Sequence, residues 1–138
     1  MEIHCNPADN EKVFTIGGVD STGNPSIFTS FGPNSAGKVK PDASARATST
    51  YFAYNNGAYS GNGTSYATPL SAGGIACLLQ AIPNSTNREL LKNSLRQTAS
   101  LSSNPNDRLG YGILNFGQVL SSFLKTNEFN PNHAVEIF

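Results

Sequence analysis

The stretch Gly61-Asn-Gly-Thr-Ser-Tyr-Ala-Thr-Pro69 decides the fold, because flexible glycines deliver a serine to the start of an apolar helix. The helix is predicted to begin at Thr64 and to stop at Pro83. Its sides are apolar or very small nearly all round, which predicts burial inside the fold. Ser65 is thus expected in the first turn of a buried helix.

A serine in this position can act as a catalytic nucleophile or as a structural helix cap. Backbone N–H groups at a helix start are unpaired and the helix dipole is positive there, so an oxyanion formed when Ser65 attacks a carbonyl would be stabilised. Pro69 has no N–H to donate to the Ser65 carbonyl, which loosens the first turn. The structural alternative is a Thr64-Ser65 cap on a core helix, which is the commoner role of such residues.

The segment Gly63-Thr-Ser-Tyr-Ala-Thr-Pro69 resembles the Gly-Thr-Ser-x-Ala-x-Pro signature around the nucleophile of the subtilisin-like serine proteases, the subtilases. Leu70 stands where many members have a histidine, which is not the base of their catalytic triad. Five further blocks resemble the same family in the same order: Val13–Asp20, Phe28–Pro33, Lys40–Asp42, Ser71–Ala76 and Gly110–Asn115.

The resemblance implies an α/β fold, a subtilisin-like parallel-sheet fragment with a buried helix that carries the nucleophile and two further helices. Val13–Val19 reads as a strand buried on both faces, and Ile27, Phe28 and Phe31 as a second short extended piece. The other helices are predicted from a capping box between Thr86 and Glu89 and from a cap at Asn115.

Residues 1–125 are expected to form the C-terminal part of a subtilase catalytic domain. Residues 126–138 are expected to be a linker and the start of a C-terminal module. Subtilases carry their triad in the order Asp, His, Ser, whereas the only histidine before Ser65 is His4 and the only acid before that is Glu2. The Asp-Thr-Gly, His-Gly-Thr and Ala-Gly-Asn blocks of the family, the last of which supplies the oxyanion-hole asparagine, are absent from the sequence.

The resemblance therefore implies a serine endopeptidase that forms an acyl-enzyme on Ser65 in the intact parent, with polypeptides as substrates and the missing N-terminal half as a partner. The isolated chain is predicted to be inactive. By the same resemblance, Asn6 and Pro7 would lie near the primary specificity pocket. No cofactor is expected in this part, calcium is left open for the intact parent, and the parent is expected to be secreted or on the cell surface.

Two other readings stay open. One is an esterase of the α/β-hydrolase type with the order Ser65, Asp107, His133; it is disfavoured because a polar, glycine-rich loop over Asn55–Gly63, rather than an apolar strand, precedes the serine. The other is a non-catalytic interaction module, or half of a split or pseudo-protease. Tyr51, Tyr54 and Tyr59 line a substrate cleft in one interpretation and pack over the core in the other.

Composition excludes some functions. The formal net charge is zero and no basic cluster occurs, which argues against nucleic-acid binding. The apolar stretch around Leu78 is too short to span a bilayer. Cys77 is predicted to be a free core thiol rather than a partner of Cys5. Unpaired sheet edges predict a homodimer.

Overall fold

The structure is a computed structural model that describes residues 6–82 and 87–126. The described part contains four short strands and three helices in chain order. They are β1 (Ile16–Val19), β2 (Ala43–Arg46), β3 (Thr50–Tyr54), β4 (Gly57–Gly61), α1 (Thr64–Ala81), α2 (Arg88–Gln97) and α3 (Phe116–Thr126).

Strands β1 and β2 form a parallel pair in which Ile16 lies opposite Ala43 and Val19 lies opposite Arg46. A parallel bridge between Ser44 and Ile113 extends the sheet beyond β2. This parallel sheet with three helices confirms the predicted α/β class, although the predicted strand becomes regular only at Ile16.

The predicted second extended piece is wrong for Ile27 and Phe28, which lie in a turn, whereas Phe31 forms an isolated β-bridge. The chain folds back on the outer edge of β1, where Ser26 N donates to Gly18 O (2.8 Å) and Gly18 N donates to Thr29 Oγ1 (2.9 Å). The N–H and C=O groups of Gly18 are used in these bonds and are no longer free to pair with a neighbouring strand, so the segment is held as a turn.

The segment before Ser65 is also more regular than predicted. Strands β3 and β4 pair as an antiparallel hairpin, with Phe52 opposite Tyr59. Asn55 and Asn56 connect the strands with φ angles of 44° and 63°, as a two-residue hairpin turn requires. Asparagine tolerates this left-handed conformation, which explains why a polar run that lacks alternating apolar residues still forms a hairpin.

The side chain of Asp42 joins β1, β2 and α2. Its Oδ2 atom accepts from Thr15 N (2.7 Å), just before β1, and its Oδ1 atom accepts from Arg96 Nε (3.1 Å) of α2. Lys40 completes the cluster with a bond to Oδ2. The Lys40–Asp42 block thus fixes the sheet against α2.

The hydrophobic core lies between the C-terminal half of α1 and the two other helices. It is built from aliphatic side chains and one phenylalanine: Leu78, Ile82, Leu91, Leu95, Val119 and Phe123. The N-terminal end of α1 lies next to the sheet, where a Cβ atom at Gly18 of β1 would lie 3.4 Å from Thr64 Cγ2. The core therefore anchors the far end of the helix that carries Ser65.

Helix α1 is buried along one side only, so the prediction of burial nearly all round is wrong. Leu70 and Leu79 are 50% and 51% exposed, and the side chain of Cys77 is exposed rather than in the core. Within residues 6–82 and 87–126, the sheet and α3 contact α1 from one side and leave its other side in solvent.

No helix in the described part of the chain is long and apolar enough to cross a membrane.

The two other helices begin with side-chain caps. Asn115 Oδ1 accepts from Gln118 N at the start of α3 (3.0 Å), which confirms the predicted cap. At the start of α2, Asn87 Oδ1 accepts from Glu89 N (2.8 Å). The predicted cap Thr86, the helix stop Pro83 and the segment 127–138 lie outside the described residues.

Candidate active site

Ser65 is exposed in the first turn of α1. The helix is preceded by Gly63, which has φ 154° and ψ 147°, a backbone conformation that is essentially restricted to glycine. Gly63 has no side chain and therefore cannot cap the helix, although its carbonyl oxygen accepts from Tyr66 N (3.1 Å) in the first turn. The structural alternative, a serine or threonine cap, does not describe this helix start.

The loop before Ser65 is tied to the end of the parallel sheet. Gly63 N donates to Ala47 O (2.9 Å), and Ser49 N donates to Asn62 Oδ1 (2.7 Å). The guanidinium of Arg46 bonds the carbonyl oxygens of Thr48 and Ser49, which closes the turn after β2. The position of the serine is thus set by the sheet as well as by its own helix.

The first turn of α1 lacks one of its backbone hydrogen bonds. Pro69 lies inside the helix and offers no N–H to the Ser65 carbonyl. Thr68 Oγ1 bonds back to Thr64 O (3.1 Å), a local contact that helps to hold the turn. The signature proline therefore leaves the Ser65 carbonyl without its usual helical partner.

A cleft of about 350 Å³ borders the N-terminal end of α1. Its lining includes Pro7, Thr29, Ser30, Thr64 and Thr68. The structure thus brings Pro7 to the same cleft as the residue directly before Ser65. Asn6 is exposed in the adjoining turn and does not line the cleft.

Aromatic rings connect the first turn of α1 to the hairpin. Tyr66, directly after Ser65, stacks on Phe52 of β3 with ring centroids 5.0 Å apart. Tyr51, Tyr54 and Tyr59 are all exposed and do not line the cleft beside Thr64, so the interpretation that packs them over the core is wrong and the cleft interpretation stays a prediction. Sequence reasoning missed the part of Thr64 and Thr68 in the cleft and the contacts of Arg46, and only the closeness of these residues to Ser65 or its loop could have indicated them.

The partners of the α/β-hydrolase reading are not assembled by the described residues. Asp107 lies in the turn between Asn106 and Gly110, where its backbone oxygen accepts from Gly32 N (2.9 Å). His133 and His4 lie outside the described residues, so no histidine is found within the parts that are described. Strand β4 precedes the serine, but it belongs to the antiparallel hairpin and not to the parallel sheet, unlike a nucleophile elbow.

The described residues thus form an α/β chain with an exposed serine beside a cleft, in the first turn of a helix that has no side-chain cap. The model of the Subtilase family matches residues 3–112. The chain belongs to the subtilase family. It is 34% identical to the subtilisin-like protease SBT6.1 of Arabidopsis thaliana over an alignment that covers 73% of this chain and 11% of that protein.

Solved structures show the same fold. The CspB protease of Clostridium perfringens is 24% identical, with a TM-score of 0.76 over 90% of this chain and 29% of that one. PagA, the prenylagaramide maturation protease, is 26% identical, with a TM-score of 0.69 over 86% of this chain and 45% of that one. The chain therefore spans less than half the length of either solved protease and about a tenth of the plant relative.

Proposed function

We propose that the whole protein is a serine-type endopeptidase and that Ser65 forms its acyl-enzyme. One observation carries the proposal: Ser65 is exposed in the uncapped first turn of α1, within the subtilase signature. Membership of the family supports peptidase chemistry. The predicted polypeptide substrate follows from the same membership.

In this mechanism, Ser65 Oγ attacks the carbonyl carbon of the scissile peptide bond, and its proton passes to a histidine from the rest of the protein. The C–N bond breaks, and the departing amine takes that proton. Water then attacks the ester, and the carboxyl product leaves while Ser65 regains its hydrogen. This chain contributes the nucleophile and first-turn N–H groups that stabilise the charge developing on the carbonyl oxygen.

We propose that the isolated chain is inactive. The base, the acid that orients it and the oxyanion asparagine would all come from the missing N-terminal half. Loss of the base removes on the order of a millionfold in rate, a magnitude measured in subtilisin, itself a member of this family. Only residual chemistry would then remain.

We further propose that the cleft beside Thr64 holds the side chain on the acyl side of the scissile bond, with Pro7 at its rim and Asn6 adjacent. Thr29, Ser30, Thr64 and Thr68 contribute uncharged polar atoms to the lining. A variant that fills the cleft, Ser30→Phe, is expected to raise KM for substrates with large side chains more than for those with small ones.

The test combines this chain with a separately produced N-terminal half of the catalytic domain. Recovered cleavage of a peptide substrate, abolished by Ser65→Ala and retained by Ser60→Ala, would support the proposal. Ser60 is the matched control because it lies in strand β4 of the hairpin that leads to the nucleophile loop. Correct assembly without cleavage would favour the non-catalytic interaction module or pseudo-protease instead.

Three further features are proposed, two for the whole protein and one for the isolated chain. We place the whole protein outside the cell or on its surface, as in secreted family members. We assign any calcium to the rest of the protein, which a chelator titration of the whole protein and of this chain would test separately.

We also propose a homodimer of the isolated chain through open strand edges. The outer edges of β3 and β4 are examples, because they have no partner strand in the described ranges. Light scattering of the isolated chain tests this homodimer.

A further inference from the structure

A small pocket is lined by residues of α2, of the loop before β2 and of the N-terminal segment. Its volume is about 160 Å³, and it shares no lining residue with the cleft beside Thr64. The charged side chains that line it are four cations and two carboxylates: Lys38, Lys40, Lys92, Arg96, Glu11 and Glu89. The sequence has no run of basic residues, so the fold brings the four cations together. This site is called the basic pocket below.

The carboxylates at the basic pocket do not balance its cations. Each carboxylate that lines the pocket pairs with one lysine, Lys38 or Lys92, at N–O distances of 2.6 and 3.2 Å. The two other cations, Lys40 and Arg96, share the single carboxylate of Asp42. Four positive charges therefore face three negative charges, and the basic pocket keeps one positive charge that no carboxylate of this group compensates.

Arg96 also has hydrogen-bond donors that remain unused. Its guanidinium carries five N–H groups, and within the described residues it hydrogen-bonds only to Asp42, through Nε and Nη2. The ring of Tyr111 lies 5.7 Å from Arg96 Cζ, a contact with the face of the guanidinium that occupies none of its donors. The uncompensated charge and the unused donors thus belong to the same pocket.

We propose that the basic pocket binds one tetrahedral oxyanion of the phosphate or sulfate type. Arg96 donates to the anion through N–H groups that Asp42 leaves unused, and the anion compensates the remaining positive charge. The side chains of Lys92 and Arg96 are 12% and 24% exposed, so dissolved salt screens the attraction less than at an open surface. The pocket volume suits a single small anion rather than a polymer.

The test titrates inorganic phosphate into the full 138-residue chain at constant ionic strength, which sodium chloride maintains. The NMR signal of Arg96 Nε–H is expected to shift along a saturable curve. The Tm is expected to rise with phosphate concentration, because a ligand that binds only the folded chain stabilises it by mass action. Sulfate in a separate titration distinguishes the two anions, and chloride alone is expected to produce neither effect.

Three variants locate the binding site. Lys92→Met removes a cation of the pocket and is expected to weaken phosphate binding about tenfold or more, as for a lost hydrogen bond to a charged group. Glu11→Gln removes the carboxylate that competes for Lys38 and is expected to tighten binding about two- to fivefold. Lys12→Met is the matched control, because Lys12 is exposed, lies outside the lining and carries the same charge; it should leave the affinity unchanged.

Circular dichroism checks that each variant folds, and Lys92→Gln replaces Lys92→Met if the latter does not. Equal effects of sodium chloride and phosphate would overturn the proposal, as would equal losses of affinity in Lys92→Met and Lys12→Met. Phosphate binding by this chain but not by the whole protein would assign the pocket to a contact with the rest of that protein. Binding is measured without catalysis, so the result is independent of the peptidase proposal.

Discussion

Lys40 Nζ lies 2.7 Å from Asp42 Oδ2, and both side chains are almost completely buried. Lys40 also donates to Val13 O (2.7 Å) and Thr15 Oγ1 (3.2 Å), while Asp42 accepts from Thr15 N and from Arg96. Each charge is thus paired and hydrogen-bonded, which is the condition under which buried ions are tolerated. The subtilase Lys-Pro-Asp block acts here as a structural centre.

Removal of one partner of the buried Lys40–Asp42 pair should therefore lower the free energy of unfolding. Asp42→Ala leaves the Lys40 ammonium buried without its counterion and is expected to lower the free energy of unfolding by about 3–5 kcal/mol. Lys38→Ala is the control, because it breaks the exposed Lys38–Glu11 pair and should cost at most about 1 kcal/mol. Urea unfolding measures both. Equal losses would show that the buried pair has no special role.

Replacement of Ser71 by alanine is expected to change the free energy of unfolding in the opposite direction. Its side chain is buried on the sheet side of α1, and its hydroxyl has no hydrogen-bond partner in the described part of the protein. Ser71→Ala removes an unsatisfied polar group and improves helix propensity, so the free energy of unfolding should stay equal or rise by about 1 kcal/mol. A loss above about 1 kcal/mol in urea unfolding would reveal a partner for this hydroxyl.

Adjacent glycines in α1 should respond differently to alanine. A Cβ atom at Gly73 would meet nothing within 4 Å, so Gly73→Ala should stabilise the chain by about 0.5–1 kcal/mol through helix propensity. A Cβ atom at Gly74 would overlap the Phe116 ring, so Gly74→Ala should be less stable than Gly73→Ala by about 1–3 kcal/mol. Thermal unfolding of the two variants compares them; identical stabilities would contradict the packing of α3 on α1.

Asp20 provides a pH-dependent test. The Thr22 hydroxyl, and then the Thr22 N–H, hold the pKa of the Asp20 carboxyl below its ordinary value of 3.8. A lowered folded pKa stabilises the fold above the unfolded pKa, and this contribution is lost as pH falls through the folded pKa. Thr22→Ala should raise the Asp20 pKa towards 3.8, as followed by carboxyl NMR, whereas Ser21→Ala should not. An unchanged pKa in Thr22→Ala would contradict the role of this hydroxyl.

Local patterns predicted the elements that local physics determines. The glycines before Ser65, the cap at Asn115 and the β-rich run that ends at Val19 each specify a helix start or strand through nearby residues, and the structure has all three. The hairpin at Asn55 was missed because its left-handed turn, rather than a hydrophobic pattern, forms it.

The remaining differences depend on tertiary contacts. The exposure of Cys77 and Leu79 could not be predicted from their apolar neighbours in the sequence, because it depends on which elements pack against α1. The approach of Pro7 to Thr64 depends on a fold that joins distant segments, and only the family resemblance indicated it. The ring contacts of Tyr66 likewise follow from the register of the hairpin.

The most direct test of the central claim is covalent labelling of Ser65 with a fluorophosphonate, read out by mass spectrometry of the modified peptide. Labelling at Ser65 is expected when the N-terminal half of the catalytic domain is present, with little labelling of the chain alone and none in Ser65→Ala. A properly assembled complex that leaves Ser65 unlabelled, or label on another residue, would contradict the assignment of Ser65 as the nucleophile.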